Sequence, residues 1–222
     1  MSALPSYDAL VNERQQLLQP LIIADTSLIG YIYPHAPLEL FLAHQLIPTL
    51  LWANPNVSGA YESSLQTFCC AYSRNIFSQR AMELLPKLAA ITFPGGTCDS
   101  LQNLGDVWRA RFPEDVVFRL TYPVATDEAA LTFLTQELRH LSKHIETQLG
   151  TKFSMQHFEE AVNLVAEFHA AAQFITAARL LRPTLYPYLD YTTLVRQFLT
   201  APGFSTLHQI EQAASNIQKN LR

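Results

Sequence analysis

The sequence predicts an α/β fold, a three-layer domain with a parallel sheet of about four strands and a C-terminal helical extension. Three observations predict it. Four short apolar runs alternate with helical segments as far as Thr121, the pattern of parallel strands joined by crossovers. Beyond Thr121 no strand pattern appears and helical periodicity takes over. The chain has 222 residues, 49% hydrophobic and 15% charged, enough to bury a core without disulfides or structural metals.

The elements follow in order. Tyr7 to Leu18 has apolar residues at helical spacing, with Asp8 and Glu13 on its polar side. Leu28 to Tyr33 (LIGYIY) is a strand-length apolar run, interrupted by Pro34 and Pro37, and Leu38 to Gln45 reads as a helix starting just after a proline. Thr49 to Ala53 is the second strand. Tyr61 to Leu85 reads as a long helical stretch, broken near Thr67 to Cys70. Leu88 to Phe93 is the third strand, closed by Pro94-Gly95-Gly96. Ser100 to Arg111 is a helix and Val116 to Thr121 the fourth strand. Thr126-Asp127 caps a helix running to Leu149, where Gly150 ends it; Ser154 starts another that reaches Leu181. Two shorter helices follow, separated by Ala201-Pro202-Gly203. The expected organisation is an α/β unit over residues 1–125 and a helical extension over 126–222 packed on it.

Charge and cysteine usage narrow the function classes. The net charge is −4, with no basic block and no Lys/Arg run interleaved with aromatics, so neither nucleic acid nor a membrane surface is an expected partner. Three cysteines, two of them adjacent, do not make a disulfide framework. The first nineteen residues carry charges where a signal core would be apolar, and runs such as Leu46 to Ala53 are too short to span a bilayer. The expected location is the cytoplasm. A small molecule or another protein is the expected partner.

The chemistry-bearing residues are Cys70 and Cys98. Cys98 lies in Phe93-Pro94-Gly95-Gly96-Thr97-Cys98-Asp99-Ser100, past a strand and at the start of a helix. Ligands of open parallel sheets bind at that rim, and the helix start favours a thiolate. A cysteine there can equally pack as a small apolar residue. Of the adjacent Cys69 and Cys70, one is expected to face the site and the other the core. No paired CxxC, Walker loop, Gly-x-Ser-x-Gly elbow or HExxH occurs, and His140 and His144, flanking Lys143, read as a solvated helix face.

Wider strings carry a resemblance. Gly30 to Leu40, with Pro37-x-Glu39-Leu40, Ala43 and Pro48, resembles the opening of the 2-hydroxyacyl-CoA dehydratase and benzoyl-CoA reductase family. Cys70-x-x-x-Arg74 is similar to that family's first cluster-cysteine motif, and Cys98-Asp99-Ser100, with Leu104 and Trp108, to its second. Tyr122-Pro123, Glu137-Leu138 and Leu149-Gly150 continue the order, and the resemblance spans roughly Gly30 to Leu181.

That resemblance implies a flavodoxin-like domain whose Cys70 and Cys98 ligate a [4Fe–4S] cluster, with Glu39, His35 and Ser100 lining the catalytic pocket. It implies an acyl-CoA substrate held at an open iron, an ATP-dependent iron–sulfur activator that delivers one electron, and dehydration or ring reduction through a ketyl radical. Two departures stand out. Family members normally continue into a second α/β domain bearing a third cluster cysteine, whereas this sequence has no cysteine after Cys98. The polar position opening the first motif holds Pro34, between Tyr33 and His35. The expectation is therefore a truncated dehydratase-like subunit, a lyase only if a partner completes its site; the alternative is a non-catalytic accessory or interaction protein. A second subunit or a homodimer is expected, the latter through aromatics among Phe133, Phe153, Phe158, Phe168, Phe174, Tyr186, Tyr188 and Tyr191 that its own core does not absorb.

Overall fold

The structure, a computed structural model, describes residues 7–33 and 35–221. In chain order the elements are α1 (Tyr7–Ile23), β1 (Leu28–Tyr31), α2 (Leu38–Ala43), β2 (Ile47–Leu50), α3 (Ala71–Ala81), β3 (Ala90–Gly95), α4 (Asp99–Arg111), β4 (Val117–Thr121), α5 (Glu128–Leu149), α6 (Met155–Leu181), α7 (Tyr188–Thr200) and α8 (Phe204–Asn220). A 3-10 turn at Pro183–Leu185 precedes α7. The strands form one parallel sheet in the order β2-β1-β3-β4, a three-layer α/β architecture with the flavodoxin-like arrangement.

Burial on both faces explains the composition of the strands. Every residue of β1 and β3 is buried, and such strands read as continuous apolar runs rather than alternating ones. α3 and α4 pack together on one face, and α2, backed by α6, covers the other. Trp108 of α4 is fully buried at the centre of the first layer. Its ring meets Phe77 at 6.3 Å, Phe93 at 5.5 Å and Phe112 at 5.2 Å between centroids.

Where the boundaries differ from the sequence reading, hydrogen-bond partners are the reason. β2 is Ile47–Leu50, not Thr49 to Ala53, because β1 offers only Leu28 to Tyr31 as its ladder. Pro48 is tolerated because β2 is an edge strand. β3 runs on through Pro94 to Gly95: β1 pairs no further than Thr92, so Pro94 faces a ladder on the β4 side alone. Residues 61–70 form turns instead of helix, since Cys70 is extended (φ −60°, ψ 152°) and starts α3 as its N-cap. α5 and α6 keep the caps read from the sequence, Asp127 to the Ala130 N–H and Ser154 to the His157 N–H, and Gly150 takes the left-handed conformation that ends α5.

Two polar contacts lock these layers. Asp115, after α4, accepts from Arg80 Nε at 2.8 Å, Arg80 Nη2 at 2.9 Å and Trp108 Nε1 at 2.8 Å. His44, at the end of α2, is buried; its Nε2 lies 2.8 Å from Ser142 Oγ of α5, and its Nδ1 lies 3.2 Å from Thr151 Oγ1. Burial holds the His44 pKa below its ordinary value, with Glu146 opposing the shift.

Asp115→Ala strands the Trp108 N–H and the Arg80 guanidinium together, so a loss of about 2–3 kcal/mol is expected in urea unfolding. The His44 shift also has a definite sign. Between the unfolded value near ~6.5 and the lower folded value the unfolded chain binds more protons, so stability is full above that window and falls as pH drops through it. Melting temperatures measured from neutral to mildly acidic pH are expected to fall less steeply in His44→Gln than in the wild type.

Candidate functional site

The strand order creates a crevice. The chain leaves β1 toward β2 and leaves β3 toward β4, so the connections part between β1 and β3 at the carboxyl ends of the strands. Ligands of open α/β sheets bind at that switch point. The β1–α2 connection brings His35 and the first turn of α2 Glu39, Cys70 caps α3, and Cys98 caps α4, whose first turn brings Ser100.

Glycine makes the β3 exit feasible. A Cβ on Gly95 would sit 2.7 Å from Thr121 Oγ1, and one on Gly96, whose φ is +77°, would sit 2.9 Å from the Tyr122 carbonyl oxygen. The backbone therefore passes against the end of β4 before α4 starts, and Gln102 Oε1 accepts from the Gly96 N–H at 2.8 Å. Cys98 is the N-cap residue of α4, extended and exposed, and its side chain makes no capping hydrogen bond.

Cys70 is held differently. It too is an exposed N-cap residue, but its sulfur accepts from the Ser73 N–H at 3.4 Å and lies 3.1 Å from Ser73 Oγ. Burial alone would raise its pKa. The Ser73 hydroxyl, the backbone N–H groups of Ser73 and Tyr72, and the Ser100 hydroxyl outweigh that and hold it below the ordinary thiol value. Ser100, in the first turn of α4, is thus near enough to the Cys70 sulfur to favour its anionic form. Cys69 instead is half-buried and packs against the core.

The other wall is aromatic. Tyr122, just past β4, donates its hydroxyl hydrogen bond to the His35 carbonyl, and its ring meets Tyr33 edge-on at 6.0 Å and His35 at 6.1 Å. Burial raises the Tyr122 pKa; an interaction with the Tyr33 hydroxyl opposes this and the nearby Glu39 carboxylate adds to it. The His35 ring is exposed and Glu39 is half-buried. Pro34, the position singled out in the first motif, lies outside the described residues.

His35, Glu39, Cys70, Cys98 and Ser100 thus all lie in connections or first helical turns at one end of the sheet. Among the described residues no group of three His, Cys, Asp or Glu side chains is arranged to hold a metal ion. Ser73 and Tyr122 were not singled out as site residues by the sequence. Ser73 was legible as the third residue after an N-cap, the spacing of a capping pair; the anchoring of His35 by Tyr122 depends on β4 lying beside β3 and had no local signal.

Comparison with known proteins bears on the whole domain. The family model described as 2-hydroxyglutaryl-CoA dehydratase, D-component, matches residues 34–221, through α7 and α8 as well as the cysteine motifs. A benzoyl-CoA reductase subunit from Thauera aromatica is 23% identical over 186 residues, covering 81% of this chain and 47% of that protein. The chain spans about half the length of the curated relative it matches.

The serine contacts on Cys70 give a direct expectation. Iodoacetamide alkylation of Cys70, followed against pH by peptide mass spectrometry, should show a midpoint below the ~8.5 of a free thiol. Ser73→Ala and Ser100→Ala should each move that midpoint upward.

Proposed function

This chain belongs to the 2-hydroxyglutaryl-CoA dehydratase D-component family, and from that premise we propose that it is a dehydratase-like subunit whose Cys70 and Cys98 contribute thiolates to a [4Fe–4S] cluster. The observation that carries the reading is the placement of two exposed cysteines as N-cap residues of α3 and α4 at the carboxyl edge of the sheet. The donor chemistry fits: helix N-termini and hydroxyl donors favour sulfur in its anionic, ligating form. When bound, such a cluster supplies one-electron chemistry for dehydration or reduction of an acyl-CoA.

This chain's own residues would hold, orient and shield. Ser73 and Ser100 steady the sulfur of Cys70. Tyr122 anchors the connection that bears His35 and Glu39, so those two side chains would face the acyl group from the opposite wall. Residues 1–125 would carry the site, with 126–222 as the helical extension packed on it. Iron–sulfur sites commonly use four cysteines, or three where one iron stays open, so ligands from outside this chain are required. A second subunit or another copy of the chain would supply them, an ATP-dependent iron–sulfur activator would supply the electron, and the cytoplasm would keep the thiols reduced.

One observation favours a second reading. The absence of a three-ligand group among the described residues fits an accessory protein that kept the fold without the complete site. Anaerobic purification, alone and together with the partner subunit, separates the two through iron and sulfide content and the visible spectrum. Under the first reading iron is present in at least one preparation, and Cys70→Ser and Cys98→Ser each abolish it. Iron absent from both preparations supports the accessory role, and a stable cluster in the double variant would locate the site elsewhere.

A further inference from the structure

α1 is held to the domain more by charge than by apolar contact. Among its described side chains only Arg14 and Leu18 are buried, and Leu18 lies apart from the main core. Ile22 and Ile23, at the end of the helix, are 44% and 75% exposed. Pro20 stands inside the helix and removes one main-chain hydrogen bond from it. The helix packs chiefly on α7. There Glu13 accepts from Arg196 Nη2 at 2.6 Å and from Gln197 Nε2 at 2.7 Å, and the ion pair is half-buried.

Arg14 is the unusual residue of this contact. It is 5% exposed, yet among the described residues no carboxylate lies within ion-pair range of it. Its Nη1 and Nη2 both donate to one atom, Gln79 Oε1, each at 3.2 Å, and its guanidinium lies 5.5 Å from the centroid of Trp52. Burial lowers its pKa and no carboxylate opposes the shift. A second guanidinium, that of Arg196, lies on the same ring at 5.3 Å, so docking α1 gathers two like charges at one indole. Three buried atoms of the same cluster, Trp52 Nε1, Arg196 Nε and Gln197 Oε1, have no hydrogen-bond partner. A guanidinium withdrawn from water without a carboxylate, and polar atoms buried without partners, each oppose the docked state. One buried leucine and one half-buried ion pair are what the described part of α1 sets against them.

We propose that α1 is a strap that opens and closes as a unit: closed, it lays Arg14 on Gln79 and Trp52 and Glu13 on Arg196; open, it returns Arg14 and Glu13 to water and uncovers the Trp52 ring. Such a motion leaves the rest of the domain intact, because α1 precedes β1, adds no strand to the sheet and shares no side chain with the cluster around Trp108. Trp52 follows the end of β2, so opening presents an indole face beside a freed Arg196 guanidinium on the β2 side of the carboxyl edge. The strap stands whether or not a cluster is bound.

Hydrogen exchange of the purified chain, read by mass spectrometry, tests it. The amides bonded within α1 should exchange together, at least about 100-fold faster than those of β3 and α4. Arg14→Gln keeps a donor for Gln79 Oε1 and removes the charge, so it should slow the exchange of α1 about 10-fold. It should also lower the quenching of tryptophan fluorescence by acrylamide, a signal that reports Trp52 because Trp108, the other tryptophan, is fully buried. Glu13→Gln, which breaks the ion pair with Arg196, should speed the exchange of α1 and leave that of β3 and α4 unchanged. Should Arg14→Gln lose its circular dichroism signal, Glu13→Gln and the wild-type chain carry the test. Wild-type α1 amides that exchange as slowly as those of α4 overturn the proposal. So does a folded Arg14→Gln chain whose α1 exchanges no slower than the wild type, or a Glu13→Gln chain whose α1 exchanges no faster.

Discussion

The position of Cys70 depends on one unusual feature, the polar inner face of α3. Ser73, Ser78 and Gln79 are buried there, where a helix between a sheet and its neighbours would ordinarily present apolar residues. Their partners are mostly main-chain groups of the connection that follows β2. Asn75 Nδ2 donates to the carbonyls of Asn54 and Val57, both at 2.8 Å, while its Oδ1 accepts from the Asn54 N–H at 2.8 Å. Ser78 donates to the Gly59 carbonyl, and Gln79 Nε2 to the Trp52 carbonyl at 3.1 Å. A buried connection must satisfy its own polar backbone, and this one does so through side chains of the helix it leads into. The same helix face reaches α1, where the buried Arg14 donates to Gln79 Oε1 at 3.2 Å. Cys70 is therefore the first residue of a fixed body, not the tip of a loose loop.

That arrangement explains what was legible in the sequence and what was not. The strands and the capped helices α5 and α6 are written locally, in apolar runs and in Asp127, Gly150 and Ser154, so they can be read without knowing their neighbours. The stretch 61–70 reads as helix because nothing local records that it closes short turns of its own, Leu65 N–H to the Tyr61 carbonyl and Cys69 N–H to the Gln66 carbonyl, before Cys70 caps α3. The apolar excess of the C-terminal helices was legible, but its location was not. Phe168 and Phe198 stack at 3.8 Å inside the core, Phe153, Phe158, Phe174, Tyr186 and Tyr191 are half-buried, and Phe133 and Tyr188 stay exposed.

The candidate site shows the same division. Cys98 could be placed at a strand exit from Pro94-Gly95-Gly96, a pattern whose geometry is set by Thr121 and Tyr122 on the adjacent strand. Cys69 and Cys70 could not be told apart by sequence, since either could cap a helix. The cap geometry decides it: at the N-cap the backbone is extended, so Cys70 turns outward and Cys69 back against the core. The nearness of Ser100 to Cys70 depends on α3 and α4 packing side by side on one face of the sheet, a fact of topology that no local string carries.

The two cysteines end up chemically unequal although each caps a helix. Cys70 has hydroxyl and main-chain donors on its sulfur, whereas Cys98 has no capping hydrogen bond and stands on the solvent side of a glycine turn. A sulfur with donors already aimed at it keeps its place whether or not a ligand is present, while one without them takes its direction from whatever binds. Under the proposed reading the unequal pair fits a site finished from outside: the Cys70 sulfur is held by this chain's own fold, while the Cys98 sulfur would take its direction from whatever binds. The same asymmetry explains why the fold alone does not decide catalysis. Under that reading, what the rim can do would depend on how many donors a second surface brought to it, and family membership fixes only the scaffold.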